Sequence, residues 1–183
     1  MTTLIRGRVW KFGDNISADN GIIQYSQVPD LDTFDIPALK GMCFAELQPG
    51  FRAEVRQGDI VVAGRNFGHH SHQHACVAMK ECGVAACVVE STDSAFIRKA
   101  LNIGLPIIVC PGVTALAEQG DEISADLSTG EIRNVKTGAT RHARPFSERM
   151  IDIWRAGGFS RAMRLRLMPQ AAEPVREGST HGV

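Results

Sequence analysis

Between Gly68 and Ala75 the chain concentrates groups suited to an anion: Gly68-His69-His70-Ser71-His72-Gln73-His74-Ala75 holds one serine and four histidines. An imidazole changes charge near neutral pH, so the run offers donors whose positive charge is conditional. It continues Ala63-Gly64-Arg65-Asn66-Phe67, where a short apolar stretch empties into a glycine-bounded loop. Beyond it, Ala75, Ala78, Met79 and Cys82 recur at the steps of one helix face. The loop therefore joins a strand end to a helix start, with Ser71 or His72 near the first turn. Unpaired N–H groups and partial positive charge at a helix N-terminus favour a carboxylate or phosphate there. A second chemistry is a metal site, because His70, His72 and His74 would share one face of a strand. Helical geometry from His72 onward spreads them around the axis instead, and no carboxylate nearby in the sequence completes a ligand set.

The elements that must position this loop read as α/β. Residues 4–12 alternate apolar and basic, as a half-exposed first strand does, before Gly13-Asp14-Asn15 turns the chain. Residues 15–50 carry the breakers Pro29, Asp30, Asp32, Pro37 and Gly41 and read as a long structured loop with short helical pieces. Ile60-Val61-Val62-Ala63 is a buried strand, and a helix follows from about His72 to Glu81, stopped by Gly83. Ala85–Val89 is a second strand, Phe96, Ile97, Ala100 and Leu101 mark a second helix stopped at Gly104, and Pro106–Cys110 is a third strand. Strand, helix, strand, helix, strand implies parallel crossovers. Residues 120–127 and 131–135 then alternate between turns at Ser128-Thr129-Gly130 and Lys136-Thr137-Gly138, which is a β-meander. Ser147 caps a last helix with Met150, Ile151 and Trp154 as its apolar stripe, ended by Gly157-Gly158.

The 183 residues suit one domain, and 44% hydrophobic content is enough to build its core. Residues 1–168 are expected to form that domain and 169–183 a polar, disordered tail. Twenty basic side chains balance twenty acidic ones, and the cluster Arg161, Arg164, Arg166 is too small to argue for nucleic acid. No apolar run is long enough to span a bilayer, and the first residues lack a secretory core, so the expected location is the cytoplasm. Five cysteines without a Cys-x-x-Cys pair read as buried reduced thiols rather than disulfides or a metal knuckle.

Taken in order, these segments resemble the small subunit of 3-isopropylmalate dehydratase, the swivelling domain of the aconitase family. The resemblance is carried by Gly7-Arg8-Val9-Trp10-Lys11-Phe12-Gly13-Asp14-Asn15, by Gly58-Asp59-Ile60-Val61-Val62-Ala63-Gly64-Arg65-Asn66-Phe67-Gly68, and by Asn102-Ile103-Gly104-Leu105-Pro106. Gly120-Asp121-Glu122, Leu127-Ser128-Thr129-Gly130-Glu131-Ile132-Arg133-Asn134 and Thr137-Gly138 continue it in register over most of the chain. It implies a three-layer β/β/α swivelling fold with a short parallel core and an antiparallel meander. It also implies a cytoplasmic hydro-lyase of leucine biosynthesis type, acting on a small hydroxy di- or tricarboxylic acid. The expected partner is a large subunit carrying a [4Fe–4S] cluster, with no cofactor or metal bound by this chain.

In that family a serine of the small domain, as alkoxide, removes a proton from the carbon next to the substrate hydroxyl. The family loop reads Gly-x-Gly-Ser-Ser-Arg-Glu-His-Ala; aligning it on His74-Ala75 places Ser71 at one of the two serines, His72 at the arginine and Gln73 at the glutamate. The resemblance thus makes Ser71 the candidate base, with Gly68, His70 and His72 shaping the carboxylate pocket and Asp19 and Arg98 completing it. The departures are specific. A histidine cannot reproduce the two-pronged grip of arginine on a carboxylate, the second loop glycine is replaced by His70, and a family arginine on the second helix has become Ser94. Each lost charge-assisted bond costs about 1.5–3 kcal/mol of anion binding, so a differently shaped acid, such as a dimethylmalate-type substrate, is an alternative. So is a non-catalytic or histidine-metal module. The plainer roles are Ser71 as helix N-cap, His72, His69 and His70 as solvated loop residues, His74 as structural, Arg98 as solvent-facing and Asp19 as a turn cap.

Overall fold

The computed structural model describes residues 2–167, so the expected tail beyond Pro169 lies outside the described residues. Seven strands form one mixed sheet: β1 (Leu4–Lys11), β2 (Ile60–Ala63), β3 (Ala86–Val89), β4 (Ile107–Val109), β5 (Glu122–Asp126), β6 (Glu131–Asn134) and β7 (Thr140–His142). Their order is β4-β3-β2-β1-β5-β6-β7. The half from β4 to β1 is parallel and the half from β1 to β7 antiparallel. Among the described residues six α-helices accompany it: α1 (Ile36–Met42), α2 (Phe51–Glu54), α3 (Gln73–Glu81), α4 (Ser94–Asn102), α5 (Glu148–Arg155) and α6 (Phe159–Leu167).

The short apolar strands are continuous because both faces are covered. Along β2, Val61 and Ala63 enter one core while Ile60 and Val62 enter another, and β3 divides in the same way between Cys87, Val89 and Ala86, Val88. The first core lies beneath α3 and α4, with Ala75, Cys76, Met79, Phe96 and Ala100. The second unites the parallel strands with Ile123, Ala125 and Ile132 of the meander and Ile151 of α5. Helices, parallel strands and curled meander are therefore the three layers that the sequence suggested.

The first strand is half-exposed, as its alternation predicts, with Leu4 and Arg6 exposed and Ile5, Val9 and Trp10 buried. β1 is also the seam between the two halves of the sheet, paired with both β2 and β5. Its charges are neutralised across that seam: Arg6 pairs with Glu122, Arg8 with Asp59 at 2.8 Å and Lys11 with Glu118 at 2.7 Å. Asp59 is the buried one, 3% exposed. Its Oδ2 accepts hydrogen bonds from Arg8 Nη2, Trp10 Nε1 and the Arg56 backbone N–H. Burial alone pushes its carboxyl upward, but the donors from Arg8, Arg56 and Trp10 outweigh it and hold the group below the usual carboxylate range.

The helix ends mostly follow local chemistry. Asp93 accepts from the Phe96 N–H at 2.6 Å to cap α4, and Ser147 accepts from the Met150 N–H at 3.4 Å to cap α5. α5 is not the last helix, however. Gly157 and Gly158 have φ of 83° and 119°, and they turn the chain into α6. A Cβ on Gly158 would meet the Asn102 carbonyl at 2.4 Å, so the pair serves a close crossing over the end of α4. The cysteines are free, with Cys43, Cys76, Cys87 and Cys110 buried and Cys82 half-buried.

Replacing Asp59 by alanine strands Trp10 Nε1 and a partly covered guanidinium, and is expected to lower the unfolding free energy of the full chain by about 3 kcal/mol. Because the folded Asp59 carboxyl is held low, its stabilisation is present above about pH 4 and lost as pH falls through the folded value. Urea unfolding across pH measures both effects, and Asp59→Ala should lack that part of the acid limb.

Candidate functional site

The histidine loop is held in place by a second segment of chain rather than by its own sequence. After the turn at Gly13, residues 16–18 run alongside 68–69. The Gly68 N–H donates to the Ile16 carbonyl at 2.7 Å and the Ala18 N–H to the His69 carbonyl at 2.9 Å, with Ser17 and His69 bridged in parallel. Gly68 has φ of 73°, and a Cβ there would lie 2.5 Å from the ring of buried Phe96. Only glycine meets both demands. Phe67, itself buried, sets its ring edge-on to Phe96 at 5.7 Å.

That clasp delivers Asp19. It sits in a π-helical turn, Ala18–Ile22, started by Ser17, whose Oγ accepts from the Asp19 N–H. The Asp19 carboxylate lies between two loop histidines: Oδ1 meets His72 Nε2 at 2.5 Å and Oδ2 meets His70 Nδ1 at 3.6 Å. The His72 contact is out of line for a hydrogen bond, and buried Oδ1 accepts no other. Tyr25 stacks flat on the His72 imidazole, centroids 3.5 Å apart and planes 17° from parallel. Burial lowers the His72 pKa; the Asp19 carboxylate opposes that shift and the Lys99 and His74 charges reinforce it. His72 is consequently uncharged at neutral pH. It is also the N-cap of α3, without a side-chain hydrogen bond to the helix, because its ring is committed to Asp19 and Tyr25. The expected capping role of Ser71 is thus not realised.

Ser71 is half-buried, immediately before the cap. The Lys99 ammonium donates to the Ser71 carbonyl and reaches Ser71 Oγ at 3.3 Å. Lys99 is a residue the sequence reading passed over in favour of Arg98. The signal was helical geometry: Phe96 packs on Gly68, and Lys99, three residues on, shares its face, whereas Arg98 does not. Arg98 is exposed, and its Nη1 reaches Ser94 Oγ at 3.3 Å. The site therefore joins Asp19, His70, His72, Ser71 and Gly68, adds Lys99 and Tyr25, and leaves Arg98 facing its own helix.

His74 belongs to the packing. It is 7% exposed, its Nε2 lies 3.3 Å from the Thr33 carbonyl, and its ring stands edge-on to Tyr25 and Phe34. His69 Nδ1 lies 3.2 Å from the Asn66 carbonyl. The histidines thus diverge. A carboxylate absent from their neighbourhood in sequence does reach two of them, but among the described residues no group of three His, Cys, Asp or Glu side chains is disposed to hold a metal ion. Also among the described residues, no helix is long and apolar enough to cross a membrane.

No family model matches the chain. Individual relatives do. The "Methanogen homoaconitase small subunit" of Methanothermobacter thermautotrophicus is 43% identical over 160 residues, 86% of this chain and 89% of that protein. The "3-isopropylmalate dehydratase small subunit" of Aquifex aeolicus is 41% identical over 86% of this chain and 93% of its own length. The "Isopropylmalate/citramalate isomerase small subunit" of Methanocaldococcus jannaschii is 36% identical over 86% and 92%. The crystal structure of 3-isopropylmalate dehydratase from M. jannaschii superposes with a TM-score of 0.76 at 31% identity, covering 89% of this chain and 95% of that one. With relatives this similar over nearly their whole length, and a fold that superposes on a solved member, the chain belongs to the family of 3-isopropylmalate dehydratase small subunits.

Proposed function

We propose that this chain is the small subunit of an aconitase-type hydro-lyase, and that it dehydrates and rehydrates a hydroxy di- or tricarboxylic acid together with a large subunit. One observation carries the reading: a half-buried serine hydroxyl at a helix start, flanked by a lysine ammonium and an Asp19–histidine cluster. In this reading Ser71 is the base that takes the carbon-bound proton. His72 and His70 receive a substrate carboxylate, held at their angle by Asp19, while the glycine at 68 lets the loop backbone approach. Arg98, on the exposed side of α4, takes a second carboxylate only at the periphery.

The family's [4Fe–4S] cluster does not fit the residues of this chain. Burial pushes the thiols of Cys43, Cys76 and Cys87 up, which keeps them neutral and poor ligands. We assign the cluster to the large subunit, where it would supply a Lewis acid for the substrate hydroxyl. The substrate belongs among the acids named for the relatives, isopropylmalate, citramalate or homoaconitate, or is a dimethylmalate-type acid. The histidine at the position of the family arginine supports an acid whose carboxylate needs no two-pronged grip.

Reconstitution with the large subunit tests the reading. Wild type should interconvert one of 3-isopropylmalate, citramalate and dimethylmalate with its dehydrated partner, and Ser71→Ala should lower kcat by about 10²- to 10⁴-fold with assembly intact. Unchanged kcat removes Ser71 from the mechanism. A second outcome follows from His72. Its pKa is lowered by burial, so it gains charge only below the ordinary histidine value of about 6.5, and KM should fall as pH is lowered from about 7.5 through and below that value. His72→Arg should flatten that dependence. A wild-type KM independent of pH in this window contradicts a carboxylate-binding role for His72.

A further inference from the structure

Lys99 has no counterpart in the loop chemistry read from the sequence, yet it makes the hydrogen bond that reaches Ser71 Oγ. Its helix is fixed against the loop by the contact of Phe96 with Gly68, so its position follows from packing rather than from a free surface side chain. Lys99 is half-buried, and its ammonium also grips the Ser71 carbonyl, which orients the residue from two sides. The other charged groups around Ser71 are differently engaged: Asp19 with His70 and His72, and Arg98 with Ser94. Burial keeps His72 uncharged at neutral pH. That leaves an ammonium as the group placed to meet negative charge on this oxygen.

We propose that Lys99 is the residue that makes Ser71 a competent base, by stabilising its oxyanion. The assignment rests on the hydro-lyase reading above. In the step it serves, the Ser71 oxyanion takes the proton from carbon and the C–H electron pair becomes the second bond of the new C=C. Hydroxide leaves the neighbouring carbon. Ser71 then returns its proton to that hydroxide, so one water departs, the oxyanion beside Lys99 is restored, and nothing is oxidised. A fixed donor aimed at developing negative charge is worth about 10²- to 10³-fold in rate when removed singly.

The test uses the reconstituted pair and whichever of 3-isopropylmalate, citramalate and dimethylmalate the wild type turns over, unlabelled and deuterated at the carbon that loses its proton. Lys99→Gln keeps a donor for the Ser71 carbonyl but removes the charge. It should lower kcat about 10²- to 10³-fold with KM within about threefold, and enlarge the deuterium effect on kcat, while Lys99→Arg recovers most of the rate. Co-elution with the large subunit confirms assembly; should Lys99→Gln not assemble, Lys99→Met set against Lys99→Arg makes the same comparison. A kcat at the wild-type level, or a fall without a larger isotope effect, overturns the role of Lys99 alone. A wild-type pair inert toward all three acids and toward homoaconitate overturns the hydro-lyase reading itself.

Discussion

Everything at the site depends on the close approach of two backbones at Gly68. The segment 16–18 and the loop 68–69 exchange hydrogen bonds of 2.7 and 2.9 Å, and Phe96 fills the space that any side chain at position 68 would need. This clasp is paid for in the chain by a left-handed glycine and a fully buried phenylalanine. Through it, three distant pieces meet: the π-helical turn that carries Asp19, the start of α3 with Ser71 and His72, and the face of α4 with Lys99. Loosening the clasp separates the acid from the histidines and the ammonium from the serine at once.

The electrostatics of the cluster are divided between loop and helix. The loop carries an imidazole whose pKa burial lowers, with Asp19 pulling the other way. Permanent positive charge comes from the neighbouring helix α4, through Lys99. The division is physically coherent. A compact ammonium suits a single oxygen, whereas a planar fork suits a carboxylate, so a charge carried by Lys99 favours the serine over the substrate. Tyr25 adds a rigid wall that stacks on His72 and limits how that ring can turn.

The α/β core was legible because its strands are short, apolar and bounded by glycine, and because the helices between them keep a buried face. The meander was legible from alternation and turn residues. What local pattern could not reveal was tertiary. Gly157-Gly158 reads as a stop, yet its job is to pass close over Asn102 and Gly104, and α6 follows. Basic alternation in β1 reads as a half-exposed strand, but its place at the centre of the sheet and its partners Glu122, Asp59 and Glu118, all far along the chain, are tertiary. Ser71 satisfies the composition of an N-cap, while His72 takes the position because Asp19 and Tyr25 hold its ring. Arg98 and Lys99 are adjacent in sequence, and only the contact of Phe96 with Gly68 shows which of them faces the loop.

The central claim is that Ser71 meets the carbon of the acid that loses its proton. A structure of the reconstituted pair with its hydroxy acid bound measures this directly. Ser71 Oγ is expected within about 3–3.5 Å of that carbon, with a carboxylate of the acid against His72. An acid bound away from the loop, or Ser71 sealed beneath the large subunit with no ligand beside it, would contradict it.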